Sequence, residues 1–377
     1  MKNQWKTIRE EFPVTKNRVF FDNAKVAPIP KRTQEIVTTF VEDASNFGTA
    51  NYPQWMEKVQ KVRESFAHLI GARQEEVAFV KNTSEGLSIV ANGIDWKSGE
   101  NVVIPDIEFP ANVYPWQNLK RHGVETRMVS CQNGRVDFEK VTEAVDEKTR
   151  ILSISSVECN SGFRNDLARL GEFCKKREIY FCVDAIQSLG AIQINVKDYH
   201  IDFLMADGHK WLLSVEGLGG FYISSKVLEK IYPVVVGWNS MVDAYNFMDY
   251  HFAFRPDARR FEEGTFNTMS IQALGASLSL FHEIGMATVE ARIFELGDYL
   301  IEGIKKRNLP LFNSENPNER SGIVAFTYQD NDILEFMNQR EVSLTVRDGL
   351  VRLSPHIYNN EEDVDKFFEI LDDYLSK

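Results

Sequence analysis

A lysine amine condenses with an aldehyde when it is held against the carbonyl and desolvated enough to lose its proton. Lys210, in the stretch Asp207-Gly208-His209-Lys210-Trp211, stands where both conditions can be met. Residues 201–206 read as a buried strand and 218–223 as the next, which leaves the lysine on the loop between them. Ligands of open α/β sheets gather at that end of the strands. A Gly-His-Lys tripeptide is also a common polar loop, so its weight depends on what converges with it. Asp184 closes the strand reading 180–183 at the same sheet edge, with Gln187 three residues on. A carboxylate there can keep a ring nitrogen protonated and so make the ring an electron sink; capping of the following helix is its other use. Asn82-Thr83-Ser84-Glu85-Gly86 follows a strand and opens a helix, where free amides, the helix dipole and two hydroxyls favour an anion, and where Ser84 is alternatively a plain N-cap. Phe109, after another strand, offers an aromatic face to a planar ring or simply joins the core. Arg352, in Val351-Arg352-Leu353-Ser354, has the fork that grips a carboxylate, with a surface role as the alternative.

The elements needed to hold these residues follow from the apolar pattern. After an opening helix around Trp5 to Phe12, a strand over 19–24 and a helix over 31–41, the stretch 46–53 reads as loop and a helix spans 57–70, stopped by Gly71. Strands at 77–80, 102–104, 124–129, 151–154 and 180–183 then alternate with helices at 84–92, around Trp116 to Lys120, at 136–145 and through Leu167 and Phe173. Such alternation predicts an α/β fold with a mostly parallel sheet flanked by helices. Beyond Phe266 the pattern changes to long helices over 270–284 and 288–307, a smaller β and α region and a last helix at 361–375. We therefore expect a large α/β domain over 21–265, a smaller α+β C-terminal domain over 266–377, and an N-terminal segment, 1–20, packed with the latter.

Composition narrows the function classes. A formal net charge of −12 argues against nucleic acid, whose phosphates need clustered Lys and Arg. No apolar run is long enough for a bilayer, and Met1-Lys2-Asn3-Gln4-Trp5-Lys6 lacks the apolar core of a signal peptide, so a cytoplasmic protein is expected. Cys131, Cys159, Cys174 and Cys182 have no metal spacing and read as buried thiols in a reducing compartment. There is no H-E-x-x-H and no Walker A sequence, and Gly217-Leu218-Gly219-Gly220 runs into a strand instead of a helix, so neither a metal site nor a dinucleotide site is expected.

Taken in order and spacing, Asp22-Asn23-Ala24, Asp184 with Gln187, His209 with Lys210, and the stretch Arg260 to Asn267 resemble the class V aminotransferase family of pyridoxal phosphate enzymes. That family includes cysteine desulfurases and isopenicillin N epimerase-like members, and the likeness runs over nearly the whole chain. It implies the type I fold of pyridoxal phosphate-dependent transferases, with Lys210 as the Schiff-base lysine, Asp184 on the pyridine nitrogen and Gln187 on the phenolic oxygen. Thr83, Ser84 and His209 resemble phosphate ligands, Phe109 takes the ring-stacking position, and Thr265 resembles a residue reaching the phosphate of a neighbouring subunit in a homodimer with shared sites. Arg352 resembles the arginine on the substrate α-carboxylate, and Asn23 falls where the family lines the substrate pocket. The sequence also departs from the pattern. Phe109 replaces a proton-carrying His found in many desulfurases, Val346-Arg347-Asp348-Gly349-Leu350 is short where desulfurases carry a cysteine loop, and no cysteine follows Cys182. Asp207 brings a second negative charge near the expected phosphate, tolerable if paired or turned away, and Glu158 either meets a cationic part of the substrate or faces solvent. The expected reaction is elimination on an α-amino acid with carbon–sulfur cleavage and no enzyme thiol. The alternatives are transamination, epimerisation, or a catalytically silent cofactor-binding regulator.

Overall fold

The computed structural model describes residues 2–329 and 332–376. Its centre is a seven-stranded sheet in the order Val77–Val80, Gly219–Ile223, Phe203–Asp207, Tyr180–Asp184, Thr149–Ser155, Asn101–Pro105, Glu125–Val129. All neighbours run parallel except Gly219–Ile223, which is antiparallel to both strands beside it. Strands buried on both faces must be apolar along their length, and the run Phe203-Leu204-Met205-Ala206 is buried throughout. The pleat then sorts side chains between two cores. Leu152, Ile154, Phe181, Val183 and Leu204 join one cluster, and Ile151, Cys182, Phe203 and Met205 the other.

On the first of these faces the helices Lys31–Phe47 and Tyr52–Leu69 pack against Thr268–Ile284. A second, three-stranded antiparallel sheet in the order Thr345–Arg347, Leu350–Leu353, Val324–Thr327 is covered by Met286–Lys306, Asp332–Gln339 and Glu361–Leu375. Val19–Phe20 pairs in parallel with Val342–Ser343, and Arg9 on the first helix, Lys2–Glu10, forks onto Asp363 at 2.7 and 2.9 Å. No helix of the described residues is long and apolar enough to cross a membrane.

Local chemistry moved several boundaries from their expected places. The strand expected over 19–24 is only Val19–Phe20, because Asp22 bridges to Ser354 and the chain turns there. The loop expected over 46–53 shrinks to Gly48–Asn51, since Tyr52-Pro53 starts the next helix with proline in its first turn. Around Trp116 a single turn, Tyr114–Gln117, passes into a 3₁₀ segment, Asn118–His122, closed by Gly123 at φ +74°.

Candidate active site

Five strand ends and the short hairpin of the second sheet meet around one cavity of 250 Å³. Of the residues singled out in the sequence, Thr83, Ser84, Phe109, Asp184, Gln187, His209, Lys210 and Arg352 all line it. Lys210 enters from the loop after Phe203–Asp207, its Nζ 5.6 Å from the centre of the Phe109 ring. Burial lowers its pKa, Asp184 and Asp207 oppose that, and Arg352 adds to it. The result is an amine biased toward the neutral form that reacts.

Asp184, 2% exposed, accepts Ile186 N–H at 3.0 Å on Oδ1, and no described residue donates to its other oxygen. Burial pushes its pKa up to about 7, with Lys210 pulling it back and Asp207 pushing further. A cationic ring N–H would reverse that burden. Gln187 is already engaged: its Nε2 donates to Ala24 O at 3.0 Å and its Oε1 accepts from Trp211 Nε1 at 2.9 Å, leaving one amide hydrogen for a ligand.

The anion end is the start of the helix Thr83–Gly93. Its cap is Asn82, whose Oδ1 accepts Glu85 N–H at 2.9 Å, so Ser84 is not the N-cap and its exposed hydroxyl is free to point into the cavity. Thr83 gives both its amide and its hydroxyl to Asp207 Oδ1, the hydroxyl at 3.0 Å. Asp207 Oδ1 is therefore engaged by two neutral donors. His209 Nδ1 is buried without a hydrogen-bond partner, 3.5 Å from Asp207 Oδ2.

Across the cavity Arg352 is 6% exposed. Its Nη1 donates to Cys159 O at 2.7 Å, its Nη2 lies 3.7 Å from Asp22 Oδ1, and its Nε has no partner. An orphaned buried guanidinium N–H is costly unless an anion satisfies it. Burial lowers the Arg352 pKa, yet a guanidinium stays charged. The donor set fits pyridoxal phosphate with an amino acid beside it: a reactive amine, an aromatic face, a buried carboxylate with an open oxygen, hydroxyls at a helix start, and a cation for a carboxylate.

Two expectations are displaced. Asn23 does not line the cavity; fully buried, it donates to Ser354 O at 2.7 Å and accepts Tyr358 O–H at 2.9 Å, fixing the turn that carries Ala24 and Lys25 into the wall. Thr265, expected to serve a neighbouring subunit and not its own cavity, is exposed on the connector before Thr268–Ile284. Glu158 neither meets the cavity nor faces solvent: it is 1% exposed, its Oε1 accepts Asn165 Nδ2 at 2.9 Å and its Oε2 is unpartnered. Burial and the neighbouring Glu108 drive its pKa well up.

Lys25, Cys159 and Arg347 line the cavity and escaped sequence reasoning. Lys25 adjoins the recognised Asp22-Asn23-Ala24, and Arg347 opens the two-residue turn Asp348-Gly349, with φ +53° and +73°, where a cysteine loop was sought. Cys159 was read as an ordinary buried thiol, and nothing in its flanks marks it otherwise.

A family model described as "Aminotransferase class-V" matches residues 19–367. A probable cysteine desulfurase of Methanothermobacter thermautotrophicus is 28% identical over 397 residues, covering 97% of both chains. A cysteine desulfurase of Escherichia coli is 28% identical over 395 residues, covering 95% of both. Among solved structures, an apo cysteine desulfurase from Thermococcus onnurineus superposes with a TM-score of 0.90 at 24% identity, covering 98% of both chains. A cystine C–S lyase in complex with its product cysteine persulfide gives 0.90 at 22% identity, over 96% of this chain and 99% of that one.

Proposed function

The chain belongs to the class-V aminotransferase family, with pyridoxal phosphate as its cofactor, and from that premise we propose that it cleaves the carbon–sulfur bond of a sulfur-bearing α-amino acid by β-elimination. The observation that carries the reading is the pairing, in one cavity, of a desolvated amine at Lys210 with a buried, partly unsatisfied guanidinium at Arg352. The curated desulfurase relatives support the sulfur chemistry.

When bound, the cofactor supplies an aldehyde for amine condensation and a ring that delocalises the electron pair left by proton removal. Lys210 is the residue that would hold it covalently, Asp184 would serve the ring nitrogen, Gln187 would offer its remaining amide hydrogen, and Phe109 would give it an aromatic face. Ser84, His209 and the Thr83 turn would hold the phosphate. Arg352 would orient the substrate through its α-carboxylate, and Lys210 Nζ would take the α-proton as general base. A thiolate or persulfide leaves without an enzyme nucleophile. Cys159 is no substitute for one, since burial pushes its thiol up to about 11 and it stays protonated at neutral pH.

The remaining assignments belong to the same proposal. Exposed Tyr245, Phe247, Met248, Tyr250 and Phe252 beside the connector holding Thr265 support a homodimer with shared sites. Four free cysteines support a cytoplasmic location. The division into 1–20, 21–265 and 266–377 is supported by the two separate sheets and by the strand pairing of Val19–Phe20 with Val342–Ser343.

Incubation of the cofactor-loaded protein with cystine and cysteine tests the reaction. Pyruvate and ammonia are expected in equal amounts, from wild type and from Cys159→Ser alike. Alanine as the carbon product, lost on Cys159→Ser, would mean sulfur transfer through the enzyme thiol instead.

A further inference from the structure

We propose that Asp207 binds the cofactor phosphate as a neutral carboxylic acid, so that one proton is taken up when the phosphate arrives; this rests on the reading that the cavity holds pyridoxal phosphate.

Asp207 lines the cavity and is 8% exposed. Its Oδ1 already accepts both the amide and the hydroxyl of Thr83, the first residue of the helix Thr83–Gly93. A phosphate bound at that helix start must therefore sit against the carboxyl group. Its Oδ2 accepts no hydrogen bond from a described residue and stands 3.5 Å from the unpartnered His209 Nδ1. Two like charges cannot both stay ionised at such a distance in a buried site. A proton on Oδ2 removes the conflict and converts the acid into a donor toward a phosphate oxygen, while Oδ1 keeps its bonds to Thr83.

Of the groups around Asp207, His209 at 3.5 Å has its pKa lowered by burial and by Lys210, which disfavours it as a counter-cation. Lys210 follows on its own loop and favours ionisation, a smaller influence on Asp207 than burial. Asp184, at the end of the neighbouring strand, is a second carboxyl, and its own pKa is raised by Asp207. Gly219 on the other neighbouring strand brings only backbone, and Thr83 brings only neutral donors. Burial already raises the Asp207 pKa to about 6 before any phosphate is present.

The ligand for the test is pyridoxamine 5′-phosphate, which carries the phosphate but has no aldehyde for Lys210. Its binding to the full chain is measured calorimetrically in two buffers of different protonation enthalpy, for wild type and Asp207→Asn, with pyridoxamine as the control lacking phosphate. At pH 8 wild type is expected to take up about one proton more than the variant. One proton of linkage makes wild-type affinity fall about tenfold per pH unit relative to the variant. With pyridoxamine the two proteins should not differ. Equal proton uptake with the phosphate ligand would overturn the inference while leaving the cofactor reading intact. An Asp207→Asn chain that does not fold leaves the wild-type comparison of the two ligands as the test, where equal uptake overturns the inference again. Failure of wild type to bind pyridoxamine 5′-phosphate at all would overturn both.

Discussion

Burial acts on Lys210 and Arg352 in the same direction with different consequences. The ammonium of Lys210 is pushed toward its neutral form, whereas the guanidinium of Arg352 keeps its charge through the same loss of solvent. Arg352 is further braced by Cys159 O and left with an open Nε, which supports the proposal that it receives an anion. Arg352→Gln is expected to raise KM for cysteine or cystine by about 10²-fold, within the range of roughly 2–5 kcal/mol for truncating a buried charge partner. Turnover of cysteamine, which lacks the α-carboxylate, should change little. An equal loss on both amines would show that the arginine does not hold the carboxylate. At this scale the sequence is informative where a residue type is diagnostic. Lys210 and Asp184 are legible at strand ends and Arg352 within a strand, while the hydrogen bonds of Asn23 and Gln187 are not, because their amides are taken by Ser354, Tyr358, Ala24 and Trp211, partners far away in the chain.

Among the elements, the connector from Arg260 to Asn267 does more than join two parts. Glu262, 4% exposed, forks onto Arg63 of the helix Tyr52–Leu69, and its Oε1 also accepts Phe79 N–H at 2.8 Å on the edge strand of the sheet. Arg63 Nη1 in turn donates to Val77 O at 3.0 Å. One ion pair thus fastens helix, edge strand and connector, and the edge strand leads directly to the phosphate turn at Thr83. Glu262→Ala leaves Arg63 charged and buried, which costs about 3–5 kcal/mol. We expect a correspondingly lower Tm and weaker cofactor retention, with part of the loss recovered in Arg63→Met/Glu262→Leu; an unchanged Tm would contradict this role. Apolar periodicity made strands such as 77–80 and the final helix Glu361–Leu375 readable. Short elements were not readable in that way, because Tyr114–Gln117 and the Asp348-Gly349 hairpin are set by a proline and by positive φ and carry no repeating pattern.

For the molecule as a whole, the cavity is assembled from residues 24 to 352 and surrounded by buried acids. Asp184, Asp207, Glu108 and Glu158 all have raised pKa values, with burial the leading cause in each. An acid raised on folding contributes stability that is fully present below its unfolded pKa, ordinarily about 4, and is lost as pH climbs through the folded value. For Asp184 that window closes at about 7. Without cofactor, Asp184→Asn should therefore gain stability relative to wild type as the pH is raised from 5 to 8, measured by denaturant unfolding. A difference that does not change with pH would contradict the raised value. The fold class was legible because alternation of buried strands and helices dictates it; the acid ring was not, since Glu108 and Glu158 look like surface residues until the sheet brings them beside Asp184. The most direct test of the central claim is a single turnover of the loaded protein with cystine, followed by visible absorbance. Elimination predicts that the band of the lysine-bound cofactor returns with the release of pyruvate and ammonia. Permanent loss of that band with accumulation of pyridoxamine phosphate would contradict it and make the protein an aminotransferase.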